Sequence, residues 1–299
     1  MRAFLHLSDH APIVALHFLL GELMMENIIH RDIFSLFYNI WTNPQTKVNP
    51  LVKYLLSVSN DNSRTWSVHV RHLSKLYGIE DPLVLLNQPA PSKNTWKNNI
   101  KTIITSHQER EFREEAEGNS KMLWFNVKLL GLNGHPHPIM DNVTTVLEVK
   151  KLRPVIKMLA GDYYTYEMRA SQVGGSPHCR ICHSSDPTKN ISENLQHVLT
   201  SCGGTDEPRT RITEEIKDLL VSVSPPSMDM EDFVQLTENE NDWTQFLVDC
   251  SSFNLKDKHR IGLNDPKLTE LFRLNRDMCF SIHKLRLSKL KQLKMDGQA

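Results

Sequence analysis

The stretch Cys179-Arg-Ile-Cys182 is followed after fourteen residues by His197 and after four more by Cys202. Two thiols separated by two residues can bind one metal ion from a single tight turn. A histidine and a third cysteine, near the end of a short helix, complete a tetrahedral Cys-Cys-His-Cys (CCHC) set. Zinc suits this set because it takes thiolate sulfur and imidazole nitrogen in closed, four-coordinate structural sites. The spacing therefore predicts a Zn²⁺ ion bound by Cys179, Cys182, His197 and Cys202.

The residues between the two halves of this set predict its local structure. Ser184 to Asn190 is predicted to be a loop, and Ile191 to Leu199 a helix that carries His197. Backbone amides of the CxxC turn are expected to donate hydrogen bonds to sulfur. Four protein ligands leave no position for water, which indicates a structural rather than a catalytic site. His178 and His183 flank the CxxC pair and are alternative ligands, although exposed turn positions are their more ordinary role.

The composition is that of an ordinary globular protein. The 299 residues are 39% hydrophobic and 23% charged, enough for one large or two ordinary domains. The 35 basic and 35 acidic residues cancel, so any basic surface must be local. Three of the five cysteines cluster, which is typical of an intracellular metal site rather than a disulfide framework. The other two, Cys250 and Cys279, fall on apolar helical faces and are predicted to be buried thiols.

Apolar residues recur every three or four positions along most of the chain, which predicts a mostly α fold, a multi-helix bundle with a small CCHC zinc-knuckle insertion. Pro154, inside one such pattern, predicts a kink or a helix boundary near Arg153. His135 and His137 lie in a loop between prolines and are predicted to be solvated. Turns divide the chain into four predicted regions: an N-terminal helical region (1–88), a long helix with the His/Pro loop (89–141), a helix with the CCHC set (142–223) and a C-terminal helical tail (224–299).

The apolar run from Ile13 to Met25 bears on the location of the protein. It is interrupted by His17, Gly21 and Glu22, so it is too short and too polar for a transmembrane helix and is a poor signal peptide. We therefore expect no membrane partner and a location in the nucleus or the cytoplasm.

Two local clusters of basic residues are candidates for contact with phosphates, since clustered Lys and Arg are the usual footprint of nucleic-acid binding. The nine candidates are Lys150, Lys151, Arg153, Lys157, Lys284, Arg286, Lys289, Lys291 and Lys294. Tyr163, Tyr164 and Tyr166, near Lys157 and Arg169, are candidates for stacking on bases, with core aromatics as the alternative. RNA and DNA are therefore the predicted partners.

Evidence for catalysis is lacking in the sequence. It contains no Gly-rich phosphate loop, no G-x-S-x-G elbow, no HExxH motif and no Asp-Asp dipeptide of the kind that holds two metal ions in polymerase palms. The chain is therefore predicted not to be an enzyme.

The CCHC region resembles the C-terminal part of reverse transcriptases encoded by non-LTR (LINE-like) retrotransposons. The most specific likeness is in Val149-Lys-Lys-Leu-Arg153, a hydrophobic helix ending in Leu159-Ala-Gly-Asp-Tyr163, the CxxC turn, and Glu193-Asn-Leu-Gln-His197-Val-Leu-Thr-Ser-Cys202. Weaker likeness covers most of the chain. It lies in Ala15-Leu-His-Phe, Phe34-Ser-Leu-Phe-Tyr-Asn-Ile40, Ser92-Lys-Asn-Thr-Trp96-Lys, and the tail from Leu247-Val-Asp-Cys-Ser-Ser-Phe-Asn254 through the final helix. The loop before His197 is longer than in the commoner family pattern.

The resemblance implies a zinc knuckle that helps a polymerase hold template RNA or target DNA. The palm carboxylates and a recognisable nuclease are absent from this sequence, so the resemblance implies a non-catalytic remnant that depends on a polymerase-bearing chain of the same element. Two alternatives stay open: a zinc-stabilised helical scaffold that binds proteins, and a transposon relic without function.

Overall fold

The computed structural model describes residues 5, 7–43, 48–58, 65–126, 131–132, 134–141, 143–222, 228–252, 254–255, 259–260 and 266–295. The mostly α fold class is confirmed, and a cluster of three cysteines and one histidine lies within it. The chain divides into two compact units. The smaller unit comprises Gly21–Glu114 and Leu132–His135, and the larger unit comprises Met1–Leu20, Glu115–Gly131 and Pro136–Ala299.

Thirteen α-helices make up most of the regular structure in the described residues. They are α1 (Ile13–Leu20), α2 (Met25–Trp41), α3 (Val48–Val58), α4 (Trp66–Tyr77), α5 (Pro82–Leu85), α6 (Lys93–Glu117), α7 (Val146–Leu159), α8 (Tyr166–Val173), α9 (Arg180–Ser185), α10 (Asp206–Lys217), α11 (Met230–Glu238), α12 (Glu240–Val248) and α13 (Pro266–Met295). Short 3₁₀ turns span Ser120–Met122, Pro138–Met140, Gly203–Thr205 and Cys250–Ser252, and π turns span His197–Ser201 and Asp218–Ser222. Two-residue strands, β1 (Asn254–Leu255) and β2 (His259–Arg260), pair antiparallel.

The smaller unit is built around aromatic side chains. Phe34, Phe37 and Trp41 recur at helical spacing on α2 and are buried against Trp96 of α6. The indole N–H of Trp96 donates to the carbonyl oxygen of Phe34 at 3.1 Å, so its polar atom is satisfied inside the core. Aliphatic residues of α3 and α4 complete this core.

In the larger unit α13 is the central helix. Apolar side chains on one of its faces, among them Leu271, Met278 and Ile282, are fully buried, and the helix packs against α7, α10 and α12. Cys279 on α13 and Cys250 are buried free thiols, as predicted. Burial raises the pKa of both thiols, that of Cys279 to about 12.

The four predicted regions do not coincide with the two units, because packing crosses the turns at which the regions were divided. Trp96, which follows the predicted boundary at residue 88, shares one core with Phe34. In the same way α13 packs on α7 and α10, although the predicted boundary at 223 separates them.

Pro154 does not end its helix. α7 runs from Val146 to Leu159 through this residue. A proline in a helix interior removes one hydrogen bond and costs about 3 kcal/mol. Pro154 and its neighbours Val155 and Ile156 are buried, and this burial offsets the lost bond.

His137 contradicts the prediction that the histidines of the His/Pro loop are solvated. Its side chain is fully buried, and its Nε2 lies 3.4 Å from Oδ1 of the equally buried Asp249. Nδ1 accepts the Ile139 N–H at 3.0 Å, which leaves the ring proton on the nitrogen that faces Asp249. The reason for the error is the distant partner, since Asp249 follows more than a hundred residues later.

Among the described residues, no single helix has the length and the apolar composition needed to cross a membrane. α1 and α2 reach that threshold only when they are counted together.

Candidate metal centre and cationic groove

Cys179 and Cys182 are positioned by a β-bridge and the first turn of α9. His178 pairs with Ser192 in the bridge, and the Cys179 N–H donates to the carbonyl oxygen of Ile191 at 2.8 Å. Cys179 is the N-cap residue of α9, and Cys182 lies within that helix. The bridge therefore fixes where the helix starts, and the helix fixes the spacing of the two thiols.

His197 and Cys202 are brought together by the π turn. The predicted α-helix from Ile191 to Leu199 is wrong in its first half, since Ile191 to Asn194 is not helical. Residues five apart on an α-helix point about 140° away from each other. Here the Cys202 N–H donates to the His197 carbonyl oxygen, five residues back, at 2.8 Å. This wider turn, of a kind common at functional sites, turns the imidazole and the thiol to the same side.

The four predicted ligand atoms lie within 4.8 Å of one another, and all four side chains are buried. Sγ of Cys182 is 3.8 Å from Sγ of Cys202 and 3.4 Å from Nε2 of His197, and Sγ of Cys179 is 3.9 Å from Sγ of Cys202. A tetrahedral ion with bonds of about 2.3 Å to sulfur and about 2.0 Å to nitrogen requires edges of about 3.8 Å and about 3.5 Å. These three distances match the corresponding edges, so the group can hold a metal ion.

Backbone amides point at each of the three sulfurs, as expected for a metal-binding turn. The N–H of Cys182 donates to the sulfur of Cys179, that of Gly203 to Cys182, and that of Gly204 to Cys202. Each of these bonds favours the thiolate over the thiol. The backbone is therefore arranged to stabilise the negative charge that metal binding requires.

The three thiols do not share this charge equally. The pKa of Cys202 is lowered to about 4, mainly by a hydrogen bond from Cys179 and also by His197 and the Gly204 amide, which together outweigh the opposite effect of burial. Cys179 has a raised pKa because it donates this hydrogen bond to Cys202, and Cys182 has a raised pKa because it is buried. The shifts of Cys179 and Cys202 are opposite because these two thiols share one hydrogen bond.

Two further side chains support the ligands. The hydroxyl of Ser201 lies 3.2 Å from Nδ1 of His197, which holds the ring with Nε2 toward the cysteines. Arg209 donates to the carbonyl oxygen of Cys202 at 3.2 Å. Burial lowers the pKa of this guanidinium, while the charges of Cys202 and Cys182 oppose the change. Arg209 therefore places a positive charge beside the thiolates.

The centre is covered on one side by α13. Ile181 is buried among the three cysteines, and Leu290 and Leu293 of α13 pack against this cluster. Ile181 packs directly against the backbone of Gly204. A side chain at position 204 would prevent this contact, because its Cβ would lie only 2.3 Å from Cγ2 of Ile181. The alternative ligands lie outside the four-residue group: His183 is exposed and His178 is half-buried.

The nine predicted phosphate-binding residues fall into two groups. Arg286 is buried, and its Nη2 donates to Oε1 of the fully buried Glu193 at 2.5 Å. Its assignment to a phosphate-binding surface is corrected, because this long-range ion pair takes it out of solvent. Lys151 is half-buried and lies 2.7 Å from Asp277. The other seven have no carboxylate partner among the described residues: Lys150, Arg153, Lys157, Lys284, Lys289, Lys291 and Lys294.

Next to the metal ligands lies a groove of about 360 Å³, which we call the cationic groove. It is lined by Tyr166, Arg169, Arg180, Leu290, Lys291, Leu293 and Lys294. None of these seven described residues is acidic. Lys291 and Lys294 were predicted as phosphate contacts, whereas Arg180 was missed. Its signal in the sequence was its position between Cys179 and Cys182.

The three tyrosines have different environments. Tyr163 is buried beneath the guanidinium of Arg286, which is the core-aromatic alternative, and Tyr164 is exposed. Tyr166 lines the cationic groove, with the guanidinium carbon of Arg180 4.9 Å from its ring centroid. Of the three, Tyr166 is therefore the one that the fold places among unpaired cations.

No protein-family model matches the chain, and neither a curated protein nor a solved structure is similar to it.

Proposed function

We propose that the chain is a zinc-stabilised, non-catalytic nucleic-acid-binding module that assists the binding of RNA template or target DNA. The observation that carries the proposal is the buried four-ligand group beside the cationic groove. The sequence resemblance to the C-terminal region of non-LTR retrotransposon reverse transcriptases supports it. In this proposal the module acts with a polymerase-bearing chain of the same element, in the nucleus or the cytoplasm.

Zinc is the proposed ion because three thiolates and one imidazole at tetrahedral spacing are its usual structural ligands. The role is structural for two reasons. All four coordination positions come from the protein, which leaves none for a substrate or a water molecule. The aliphatic side chains of Leu290 and Leu293 also cover the group on the side of α13.

Nucleic acid is the proposed partner because unpaired cations concentrate near the ligands although the chain as a whole is neutral. A cation already paired with a carboxylate contributes little to phosphate binding, since the pair must first be broken. Arg169, Arg180, Lys291 and Lys294 have no such pair among the described residues. These side chains can each replace a condensed counterion on a phosphate backbone.

Metal content tests the first half of the proposal. We expect one zinc ion per purified chain, and we expect Cys179→Ser to lose it because a tetrahedral site with three ligands binds far more weakly. Cys250→Ser is the matched control, since it also removes a buried free thiol but lies outside the ligand group. Zinc retained in Cys179→Ser, or lost equally in both variants, would contradict a CCHC centre.

Salt dependence tests the second half. Binding of a fluorescent 20-nucleotide RNA or DNA should weaken steeply between 50 and 200 mM salt, because each displaced counterion contributes to the slope. With about four phosphate contacts, affinity should fall by roughly 50- to 150-fold over this range. Undetectable binding, or an affinity that does not change with salt, would rule out the nucleic-acid function.

A protein-binding scaffold is the second candidate function, and one observation favours it. α3 of the smaller unit exposes Val48, Leu51, Tyr54 and Val58 on the side away from its buried residues. An exposed apolar stripe of this kind is a common feature of interaction surfaces. A chain that holds zinc but binds neither RNA nor DNA would favour this candidate over the first.

A further inference from the structure

We propose that the cationic groove binds single-stranded nucleic acid, with phosphates against its four cations and a base against its apolar floor. This inference rests on the proposed nucleic-acid function and deepens it by naming the strand state and the residues. It is carried by the combination of charged walls and an apolar, aromatic floor in one groove.

The walls of the groove are suited to a phosphodiester chain. Arg169 on α8, Arg180 on α9, and Lys291 and Lys294 on α13 reach it from three separate elements. Cations on three elements follow a backbone that passes between them, whereas cations on one helix face would suit a flat surface. None of the described lining residues is acidic, so nothing in the groove repels a phosphate.

The floor of the groove distinguishes a single strand from a duplex. Leu290, Leu293 and Tyr166 offer apolar and aromatic surface between the cations. A duplex keeps its bases stacked inside and presents sugars and phosphates, which gain nothing from such a floor. An unpaired base can stack on it, and stacking of this kind tolerates any base because every base has a π face. The volume of about 360 Å³ is at the low end of ligand sites and suits one nucleotide.

Arg180 connects the groove to the metal centre. Its guanidinium carbon lies 4.9 Å from the Tyr166 ring centroid, an arrangement that restrains the plane of the guanidinium. The N–H donors lie in that plane and stay available for a bidentate contact with a phosphate. Because its backbone lies between Cys179 and Cys182, the ion that fixes these ligands also fixes Arg180. The groove is therefore expected to bind nucleic acid only in the metal-loaded protein.

The test uses the zinc-loaded full chain and fluorescence anisotropy. The probes are a labelled 12-nucleotide RNA, the DNA strand of the same sequence, and each strand annealed to its complement. We expect both single strands to bind at least tenfold more tightly than their duplexes at 150 mM salt. The RNA and DNA arms identify which single strand is preferred, and either preference agrees with the proposal.

Substitutions locate the binding to the groove. Arg180→Met keeps the aliphatic stem but removes the charge, and Tyr166→Leu keeps an apolar side chain but removes the ring. We expect each to weaken single-strand binding about tenfold, with zinc content unchanged as a check of folding. Lys97→Gln and Lys101→Gln, exposed cations of α6 that neither line the groove nor belong to the nine candidate phosphate contacts, are the matched controls and should change affinity less than twofold.

Several outcomes would overturn the inference. Equal or tighter binding of the duplexes, or losses as large in the controls as in the groove variants, would reject the groove while leaving a general nucleic-acid function in place. Competition by polyaspartate as effective as by unlabelled oligonucleotide would show that any anionic polymer suffices. No binding of any probe would reject both the groove and the proposed function.

Discussion

The smaller unit and the ligand segment, which we define as residues 179–202, differ in what stabilises their local structure: apolar burial in the first and coordination in the second. Among its described residues, the smaller unit has fourteen buried apolar side chains in one core, four of them aromatic residues of α2, and its sequence contains no cysteine. The cluster around the metal ligands has Ile181 as its one aliphatic member besides three thiols. Full burial of a large apolar side chain contributes about 1.5–3 kcal/mol, so the first core can order its helices without help. In the ligand segment Val198 and Leu199 of the π turn are also buried, but the CxxC half has Ile181 alone in its cluster and depends on coordination.

Removing the metal should therefore have the largest effect and should act locally. Structural zinc sites of this kind bind with about 10–16 kcal/mol, and chelation withdraws that free energy from the ligand segment. We expect hydrogen exchange at the amides of Cys179 and Cys202 to accelerate by several orders of magnitude. Both amides donate to carbonyl oxygens that only the β-bridge and the π turn place within reach.

Amides of α4 in the smaller unit are the internal control for this experiment. Their exchange should be unchanged by chelation, since the core of that unit contains no metal ligand. If the ligand segment kept its protection without metal, coordination would be dispensable there and the contrast between the two regions would fail.

Trp96→Ala should destabilise the smaller unit, whose core contains no metal ligand. Its ring contacts Phe34, Phe37 and Trp41, and replacing a buried tryptophan by alanine costs about 3–5 kcal/mol. The free energy of unfolding in urea measures the loss. Trp66→Ala, a half-buried tryptophan at the edge of the same core, is the control and should lose less. We expect both variants to keep one zinc ion per chain, and loss of zinc in Trp96→Ala would show that the two means of stabilisation are not separate.

Asp249→Asn tests a third means of stabilisation, a buried polar pair that involves no metal ligand. This pair, His137 and Asp249, lies in the larger unit. Burial by itself would raise the pKa of Asp249, but His137 and the N–H groups of Ser251 and Asn126 more than offset this and hold it below its ordinary value. Leaving a buried hydrogen-bond donor without its acceptor typically costs about 1–3 kcal/mol, and Asp249 accepts from His137, Ser251 and Asn126. We expect a loss of about 3 kcal/mol at pH 7 in urea unfolding.

The unfolding free energy of this variant at acidic pH, the acid limb of its stability curve, provides a second measurement. Because the pKa of Asp249 is lower in the folded chain, its contribution to stability is complete above the unfolded pKa of about 3.9. The contribution is lost as the pH falls below that value through the folded pKa. The unfolding free energy of the wild-type chain should therefore decrease more steeply below pH 4 than that of Asp249→Asn. Parallel curves would show that this carboxylate does not set the acid limb.

Local signals in the sequence mark the ends of some helices and the ligand group. Gly78, with a φ of 65°, ends α4, and Asp81 with Pro82 begins α5, because these residues act through their own backbone conformation. The four ligands were predictable for the same reason: CxxC and His-x₄-Cys each fix a spacing within one turn.

Two of the errors concern contacts between residues far apart in the sequence, and a third concerns a local turn. Arg286 sits in a basic stretch, but its partner Glu193 is 93 residues earlier, and no periodicity shows that pairing. His137 looked solvated because prolines flank it, and its partner Asp249 lies even farther away in the sequence. The π turn was missed because apolar spacing assumes α-helical geometry, whereas here the demand for two ligands on one side decides the local structure.

Ser201→Ala should have the smallest effect, and it tests whether the coordination is supported beyond its four ligands. The hydroxyl lies 3.2 Å from Nδ1 of His197, and without it the imidazole can rotate away from the position that Cys182 and Cys202 require. Loss of such a supporting contact weakens metal affinity by about tenfold, or about 1.4 kcal/mol. Competition with a zinc chelator measures this. Ser184→Ala is the control, because its hydroxyl donates to the carbonyl oxygen of Ile181 and does not contact the histidine ring. Equal affinities in the two variants would mean that the backbone of the π turn alone orients His197, in which case the metal site is built by the fold of the chain rather than by its neighbouring side chains.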